Sequence, residues 1–245
     1  MLTMFVGGHL AQAQISQSRT VTPFTKIDAT DGVEIVLNPN GPPSVAVFSE
    51  NTDELINVIT EIKGTTLKIK KLKNNGIPAT VYVSAPGIIS ISVSSKSKVT
   101  VNGQLQSETL SISVTSGAQF TGNLKSQKVS VRAKYGAMFN GRIESDVVTG
   151  NFRNGAKIIL SGKAQNTFIR TDSGAICSAR NFISNDMTVY AGDLSTINFS
   201  ADSKVRIAMS DTAKVSYYGS PESVEIPSQA MIISNRTTDK LLTGN

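Results

Sequence analysis

The sequence predicts an all-β protein: a parallel β-solenoid of about 19 residues per coil with an N-terminal β cap. Two observations predict this fold. A Gly-Ala step recurs at a constant interval, and each interval contains a strand in which apolar and polar residues alternate. Charged residues are only 17% of the chain, against about 25% in an average soluble domain. Ser, Thr, Asn and Gly, which suit stacked strands and tight turns, therefore supply much of the polarity.

The repeat is defined by four glycines, each followed by alanine. They are Gly117, Gly136, Gly155 and Gly174, and the differences 136−117, 155−136 and 174−155 are each 19. The same phase extends to Lys98, Asp193 and Thr212. Glycine adopts turn conformations that a β-carbon resists, and alanine keeps the turn tight. We therefore predict that the four glycines form a structural turn ladder.

Each unit also contains a strand with period-two alternation, as in Leu110, Ile112 and Val114. This pattern indicates one buried and one solvated face. A unit could be one coil of a solenoid or one hairpin of an antiparallel meander. Inward positions carry similar residues unit after unit, and dipeptides typical of two-residue hairpins, such as Asn154-Gly155, are few. Both observations favour the solenoid.

The regions outside the repeat suggest an exported protein with caps. An apolar stretch from Leu2 ends in Ala11-Gln12-Ala13, an A-x-A cleavage pattern, although the usual basic start is missing. We expect the mature chain to begin at Gln14, and a short helical turn within residues 51–57. The predicted organisation is a signal peptide (1–13), an N-terminal β cap (14–88), solenoid repeats (89–220), and a C-terminal cap with a polar tail (221–245).

The chain is basic, with a net charge of +6 and a pI of about 9.4. Its densest lysine cluster contains Lys68, Lys70, Lys71 and Lys73. Such a cluster is either a solvated strand face or a contact with an anionic partner, so Lys68 and Lys70 are weak ligand-contact candidates. The chain has no nucleic-acid module, no Trp for base stacking and no apolar run of about 18 residues. We therefore expect no nucleic-acid partner and no transmembrane segment.

The residue inventory leaves little room for catalysis. The only histidine, His9, lies in the predicted leader, and the only cysteine, Cys177, occupies an inward position of the repeat. Ser-His-Asp and Cys-His arrangements and Cys/His zinc sites are thereby excluded. We predict no catalytic residue, no metal ligand and no cofactor.

Carboxylates and tyrosines are the remaining candidates for chemistry. The carboxylates of the repeat region are Asp172, Asp186, Asp193, Asp202 and Asp211. Turn aspartates commonly accept bonds from nearby backbone amides, which is our expectation here, with a calcium or glycan contact and catalysis as alternatives. Tyr217 and Tyr218 are adjacent and point to opposite faces of a strand, so one is expected in the core. The other is a weak contact candidate, as is Asp193.

Several short motifs occur in a recognisable order along the chain. They are Phe24-Thr25-Lys26-Ile27, Gly32-Val33-Glu34-Ile35, Gly64-Thr65-Thr66-Leu67-Lys68-Ile69, Val81-Tyr82-Val83-Ser84-Ala85-Pro86, the recurring Ser-Gly-Ala steps and Val215-Ser216-Tyr217-Tyr218-Gly219-Ser220-Pro221. Over roughly residues 22–235 the chain resembles a family of exported bacterial proteins named for an autotransporter adhesin head, the GIN domain. The resemblance implies a β-solenoid and an envelope location, and it implies no established activity. The sequence departs from the family pattern at Lys96, Lys98 and Lys134, where small residues are usual.

The function expected from these observations is a non-catalytic, adhesin-like binding or structural module of the envelope or surface. Its partner would be a glycan, a surface protein or another copy of the chain, in the periplasm, on the outer-membrane surface or outside the cell. The alternative is a polysaccharide-active enzyme on the same scaffold. A groove with two or three carboxylates within about 10 Å would favour the enzyme, and scattered carboxylates would favour binding.

Overall fold

The computed structural model of the chain describes residues 15–73, 76, 79–226 and 232–235. The predicted signal peptide, the cleavage before Gln14 and most of the predicted polar tail lie outside the described residues. Strand accounts for 68% of the chain and helix for 3%, so the all-β prediction is confirmed.

Eighteen strands and one helix follow one another along the described chain. They are β1 (Ile15–Arg19), β2 (Lys26–Thr30), β3 (Glu34–Asn38), β4 (Ser44–Ser49), α1 (Thr52–Asn57), β5 (Val58–Lys63), β6 (Thr66–Lys71), β7 (Thr80–Ser84), β8 (Ser90–Val93), β9 (Lys98–Gln106), β10 (Thr109–Thr115), β11 (Gln119–Lys134), β12 (Met138–Phe152), β13 (Lys157–Thr171), β14 (Ile176–Ala191), β15 (Thr196–Met209), β16 (Lys214–Tyr218), β17 (Ser223–Glu225) and β18 (Ile232–Asn235).

The repeat units are coils of a parallel solenoid. The first segment of β11, 119–126, pairs with 138–145 of β12, and the second segment, 128–133, pairs with 147–152, both in parallel. Gln127 lies at the corner between the two segments. The same pairing continues through β13, β14 and β15. The stack has about seven turns, and the antiparallel meander is therefore wrong. We call the stacked first segments sheet A and the stacked second segments sheet B.

One continuous core fills the solenoid. Its best-defined ladder runs along the stack through buried residues at equivalent positions, which are Val99, Phe120, Phe139, Ile158, Cys177, Ile197 and Val215. The rings of Phe120 and Phe139 stack 5.3 Å apart at an interplanar angle of 7°. Stacked strands are about 4.8 Å apart, so aromatic rings of one rotamer lie face over face with a small offset.

The glycine ladder forms the turns, as predicted. In the turns from Ser95-Lys96 to Ser173-Gly174 two successive residues adopt a left-handed conformation, for example Tyr135 and Gly136 with φ of 56° and 68°. The backbone N–H of Gly117 donates to the carbonyl of Tyr135 in the next coil, and that of Gly136 donates to Asn154, both at 3.0 Å. The turns therefore stack through their own hydrogen bonds. Asn154-Gly155, a dipeptide typical of hairpins, here connects two segments of a coil.

The repeat does not keep its 19-residue phase at either end. Lys98 pairs with Gln119 (119−98 = 21), so Lys96, and not Lys98, occupies the place of Gly117. The register shifts within β9: Thr100 pairs with Thr121, but Gln104 pairs with Asn123. Strand β9 therefore has two extra residues around Asn102-Gly103. The prediction that Lys98 belongs to the turn ladder is therefore wrong.

A second deviation shifts the ladder near Asp193. Ile176 pairs with Thr196 (196−176 = 20), which puts Leu194, with φ of 56°, opposite Gly174. Asp193 therefore lies in the turn one position earlier than the 19-residue phase predicts. Thr196 pairs with Lys214 (214−196 = 18), and this shorter step returns Thr212 to the predicted phase.

The N-terminal region contributes coils as well as a cap. Strands β2 and β3 stack in parallel between β6 and β7 on one side and β8 and β9 on the other. The antiparallel pairs described in this region are β1–β4, β4–β7 and β5–β6. Strands β2 and β3, which lie within the N-terminal β cap predicted over 14–88, thus belong to the parallel stack. The 19-residue period is absent from these early coils, because residues 26–38 stack on a coil that begins about 60 residues later along the chain.

The short helix α1 is held to the stack by a buried ion pair. Asn51 caps α1, and its side chain accepts from the Asp53 N–H at 2.8 Å. The Lys71 ammonium lies 3.2 Å from the Glu54 carboxylate, with both side chains almost fully buried. Asn57 donates to Glu54 at 3.0 Å. Lys71 is thus buried, unlike Lys68, Lys70 and Lys73 of the same cluster, and its ion pair connects β6 to α1.

Removing one whole coil should leave a folded protein. Deleting residues 129–147 joins Lys128 to Val148, which is the parallel partner of Val129, so every inward position keeps its face. Solenoid stability is roughly a sum over coils and interfaces, and we expect a soluble variant with a lower melting temperature. Deleting only 129–138 removes one segment and its turn and should give insoluble protein. Equal damage from the two deletions, measured by solubility and thermal melting, would contradict the coil assignment.

Two neighbouring lysines should respond oppositely to glycine. Lys96 has φ of 62°, a conformation that costs a side-chain-bearing residue roughly 1–2 kcal/mol, so Lys96→Gly should raise the melting temperature. Lys98 lies in an extended strand, where glycine costs about 0.5–1 kcal/mol, so Lys98→Gly should lower the melting temperature.

Gly136→Val should also destabilise the fold, by about 1–3 kcal/mol. The cost comes from backbone strain alone, since no atom lies within 4 Å of the added β-carbon.

Candidate functional site

A polar groove runs along the corner between sheets A and B. Its volume is about 910 Å³, and its lining comes from six successive levels of the stack, residues 106–108, 125–127, 144–146, 163–165, 183 with 185, and 202. Because the levels are about 4.8 Å apart, the groove is about 24 Å long. Its axis follows the stack and crosses the strands.

Two columns of side chains form most of the groove wall. One column contains Gln106, Lys125, Glu144, Lys163 and Ile183, which are successive parallel partners. The corner column contains Gln127, Asp146, Gln165 and Asn185. The Asn185 amide donates to the Gln165 carbonyl oxygen at 2.6 Å, so amides of neighbouring coils contact each other along the column. The groove therefore offers donors and acceptors at a regular interval.

Serine hydroxyls fix the corner below these columns. The Ser126 hydroxyl lies 2.8 Å from the Glu108 carbonyl and 2.9 Å from that of Lys128, so it can donate to either. Ser145 lies 3.0 Å from the carbonyl of Gln127 in the coil before it. These bonds contact the backbone carbonyls on both sides of the bend, and the Glu108 carbonyl also accepts from the Lys128 N–H at 3.2 Å. The serine hydroxyls therefore help to hold the shape of the corner.

The groove carries both signs of charge, with an acidic excess. Its charged residues are Lys125, Lys163, Glu108, Glu144, Asp146 and Asp202. Glu144 lies 3.6 Å from the Arg142 guanidinium. Within the part of the chain that the structure describes, no three His, Cys, Asp or Glu side chains come close enough together to hold a metal ion. The carboxylates are distributed along the groove and do not converge on one point.

The aspartates singled out from the sequence are mostly outside this groove. Only Asp202 lines it. Asp172 belongs to a turn, where its carboxylate accepts from the Ser173 N–H at 2.8 Å. The Asp193 carbonyl accepts from the Gly174 N–H at 3.0 Å. The Asp172 contact is the turn chemistry that the sequence predicts for aspartates, whereas the Asp193 contact involves its main-chain carbonyl, and the prediction for the Asp193 carboxylate stays a prediction.

The other predicted contact residues lie at the two ends of the stack. Lys68 and Lys70 line a small depression of about 170 Å³ near the N-terminal end, where the Lys68 ammonium is 4.0 Å from the Asp28 carboxylate. Tyr217 is buried and stacks on Phe199 with centroids 6.4 Å apart. Tyr218 is half-buried, with the Arg180 guanidinium 4.4 Å from its ring centroid. The structure thus separates the two tyrosines as predicted, and brings neither pair to the groove.

The groove residues were missed because the repeat was followed in only one phase. The same 19-residue step relates Lys125 to Glu144 and Lys163, and it relates Ser126 to Ser145. Polar side chains in register at a second phase were therefore visible in the sequence. The sequence did not show that this phase marks a corner.

Similarity to known proteins agrees with this architecture. The model of the family described as "Putative auto-transporter adhesin, head GIN domain" matches residues 23–221. The chain belongs to this family. The resemblance drawn from the sequence motifs is confirmed, and membership in this adhesin family points to a surface or exported protein. No curated protein sequence matches the chain.

Solved structures share the fold of this GIN-domain chain. A protein described as a "putative adhesin" from Parabacteroides merdae has a TM-score of 0.79 at 12% identity, covering 91% of this chain and 94% of its own. A "putative adhesin" from Parabacteroides distasonis gives 0.80 at 14%, covering 91% and 95%. A "putative lipid binding protein" from the same species gives 0.78 at 13%, covering 90% and 96%. At these identities the likeness shows the fold.

Among the described residues of this GIN-domain chain, no helix has the length and apolar character needed to span a bilayer.

The single thiol should be inert in the folded protein. Cys177 is fully buried in the core ladder, and burial raises the pKa of its thiol, so the reactive thiolate is scarce at pH 8. An aromatic disulfide reagent should react with it only in denaturant. In the control Ile176→Cys/Cys177→Val, the thiol moves to the half-exposed neighbouring position and should react at once in the native state. Equal native rates for both proteins would contradict the buried assignment.

Proposed function

We propose that this chain is a non-catalytic, adhesin-like binding module of the cell envelope or surface, and that it holds an extended glycan in the corner groove. The proposal rests on the groove, which is an open channel about 24 Å long with hydrogen-bonding side chains at every coil. Family membership and the export signal expected from the sequence support the location.

The lining suits a hydroxyl-rich polymer. Gln127, Gln165 and Asn185 each carry an amide that can donate and accept, and Asp146 accepts between them. A sugar chain lying along the groove would meet an equivalent set of groups at each coil. Many weak contacts of this kind together give affinity, and they do not require several side chains to be directed at one point of the ligand.

A second candidate, a polysaccharide-active enzyme, is favoured by one observation. Glu144 and Asp146 are two residues apart on β12 and both line the groove, so their Cα atoms are within about 7 Å. A pair of neighbouring carboxylates is the minimum that acid-based glycan cleavage requires. The other charged groups favour binding, because the Arg142 guanidinium lies 3.6 Å from Glu144 and the remaining carboxylates are spread along the groove.

Exchanging exposed groove residues should weaken glycan binding without unfolding the chain. We expect Gln127→Ala/Asp146→Ala/Gln165→Ala to lose at least tenfold in affinity for the best ligand of a glycan array, about 1.4 kcal/mol in all. The control Gln17→Ala/Gln119→Ala/Asp211→Ala removes the same groups from exposed positions outside the groove and should bind normally. Equal binding by both variants would exclude the groove as the site.

The same preparations separate binding from catalysis. Incubation with the bound glycan should release no new reducing ends or unsaturated sugars. Cleavage that disappears in Glu144→Gln or Asp146→Asn, with binding retained, would establish the enzyme instead. Sedimentation of the chain alone tests self-association, the other partner expected from the sequence.

A further inference from the structure

A second surface, on the outer face of sheet B, has the opposite electrostatic character to the groove. The outward column Ser113, Arg132, Asn151, Arg170 and Tyr190 consists of successive parallel partners. The next outward column, which is closer to the turn, contains Lys134 and, one coil later, Arg153, the residue after Phe152. Four cations therefore occupy two adjacent columns over three coils, within about 10 Å along the stack.

These cations have no acidic partner. Across the described residues, none of Arg132, Lys134, Arg153 and Arg170 forms an ion pair, whereas Arg206 on the same face binds Glu225 at 2.9 Å. Two polar atoms at the centre of the patch, Asn151 Oδ1 and Arg153 Nε, are shielded from solvent and lack a hydrogen-bond partner. Unpaired guanidinium groups at this density repel each other, and an anion would relieve that repulsion.

Two aromatic rings stand beside the arginines. Phe168 and Tyr190 are 48% and 51% exposed, so each presents about half of its surface to solvent. Tyr190 is the parallel partner of Arg170, and Phe168 precedes Arg170 by two residues on the same face. Ring faces and guanidinium groups are thus presented together to a ligand that lies flat across the strands.

We propose that this face of sheet B, defined by Arg132, Lys134, Arg153, Arg170, Phe168 and Tyr190, binds an acidic polysaccharide. Guanidinium groups bind carboxylate or sulfate through two parallel hydrogen bonds, and the apolar faces of sugar rings pack on the aromatic side chains. The patch lies near the turn edge of sheet B. From Asp146 to Arg153 the strand runs about 20 Å, so this site is separate from the corner groove.

The extent of the patch favours a short run of acidic sugars over other polyanions. Ser113 and Thr115 are the partners of Arg132 and Lys134 on one side of the patch. On the other side Tyr190 is the partner of Arg170, and Asp172 occupies the position one coil after Arg153, so the cationic track spans three coils. A short run of acidic sugars matches this length of about 10 Å. The turns beside these levels are Tyr135-Gly136, Asn154-Gly155 and Ser173-Gly174, and Tyr135 is the one large exposed ring among them, so vesicles belong among the probes.

The test compares two variants of the full chain that each lose two positive charges. Arg132→Gln/Arg170→Gln alters the patch, and Lys98→Gln/Lys157→Gln alters exposed lysines of sheet A. The probes are polygalacturonate, dextran sulfate, neutral dextran, vesicles of phosphatidylglycerol and phosphatidylcholine, and an oligothymidine. Binding is measured by calorimetry at two salt concentrations, with melting temperatures as a check of folding.

We expect polygalacturonate or dextran sulfate to bind and neutral dextran not to bind. The arginine variant should lose at least tenfold in affinity, because it removes the charge-assisted hydrogen bonds of two guanidinium groups. The lysine variant should bind within about twofold of the parent, as should the groove variant Gln127→Ala/Asp146→Ala/Gln165→Ala, which keeps this test independent of the proposed groove. Phe168→Ala should weaken binding while leaving its salt dependence unchanged.

Three results would overturn the proposal. Equal losses in the arginine and lysine variants would reduce the effect to net charge. Tighter binding of vesicles or oligothymidine, through the same arginines, would assign the patch to a membrane or to nucleic acid. Failure of both acidic polysaccharides to bind the folded parent would leave the patch without this function, whatever the groove binds.

Discussion

The structure depends on vertical register between coils. Each inward side chain must match the side chains about 4.8 Å above and below it in size and rotamer, as Phe139 matches Phe120. The turn helps to keep this register, because two successive left-handed residues close each coil in the same shape from Ser95-Lys96 to Ser173-Gly174, and these turns bond to one another. Coil length still changes at points along the stack: β9 carries two extra residues around Asn102-Gly103, and β14 shifts register between Ala179 and Ile183, beside the buried Phe182.

Register on the inside creates order on the outside. Outward residues of successive coils fall into columns with no direct role in the core, so their chemistry can vary freely. The same three coils, β11 to β13, carry Glu144 and Asp146 at the corner and Arg132, Arg153 and Arg170 near the turn. Two surfaces of opposite character can therefore be built on one strand without a cost in packing, since neither replaces a buried residue.

The sequence predicted those parts of the fold that repeat at constant spacing. Four Gly-Ala steps identified the coils between residues 117 and 174, and inward position predicted the burial of Cys177. Prediction failed where spacing changed: Lys98 and Asp193 were assigned by arithmetic to places that insertions move. It also failed for β2 and β3, because their stacking partners are distant along the chain. The groove was missed since alternation distinguishes in from out and does not locate a corner.

Regular stacking also bears on why this scaffold suits binding more than catalysis. A column places side chains parallel to one another at multiples of about 4.8 Å, whereas acid–base chemistry needs two groups with different environments directed at one bond. In the groove, Asp146 lies in a column of amides and Glu144 lies 3.6 Å from the Arg142 guanidinium. An array of carboxylates and amides at a regular interval recognises a polymer along its length. Cleavage would require an acid and a base directed at the same glycosidic bond, and a column of parallel side chains does not provide this convergence.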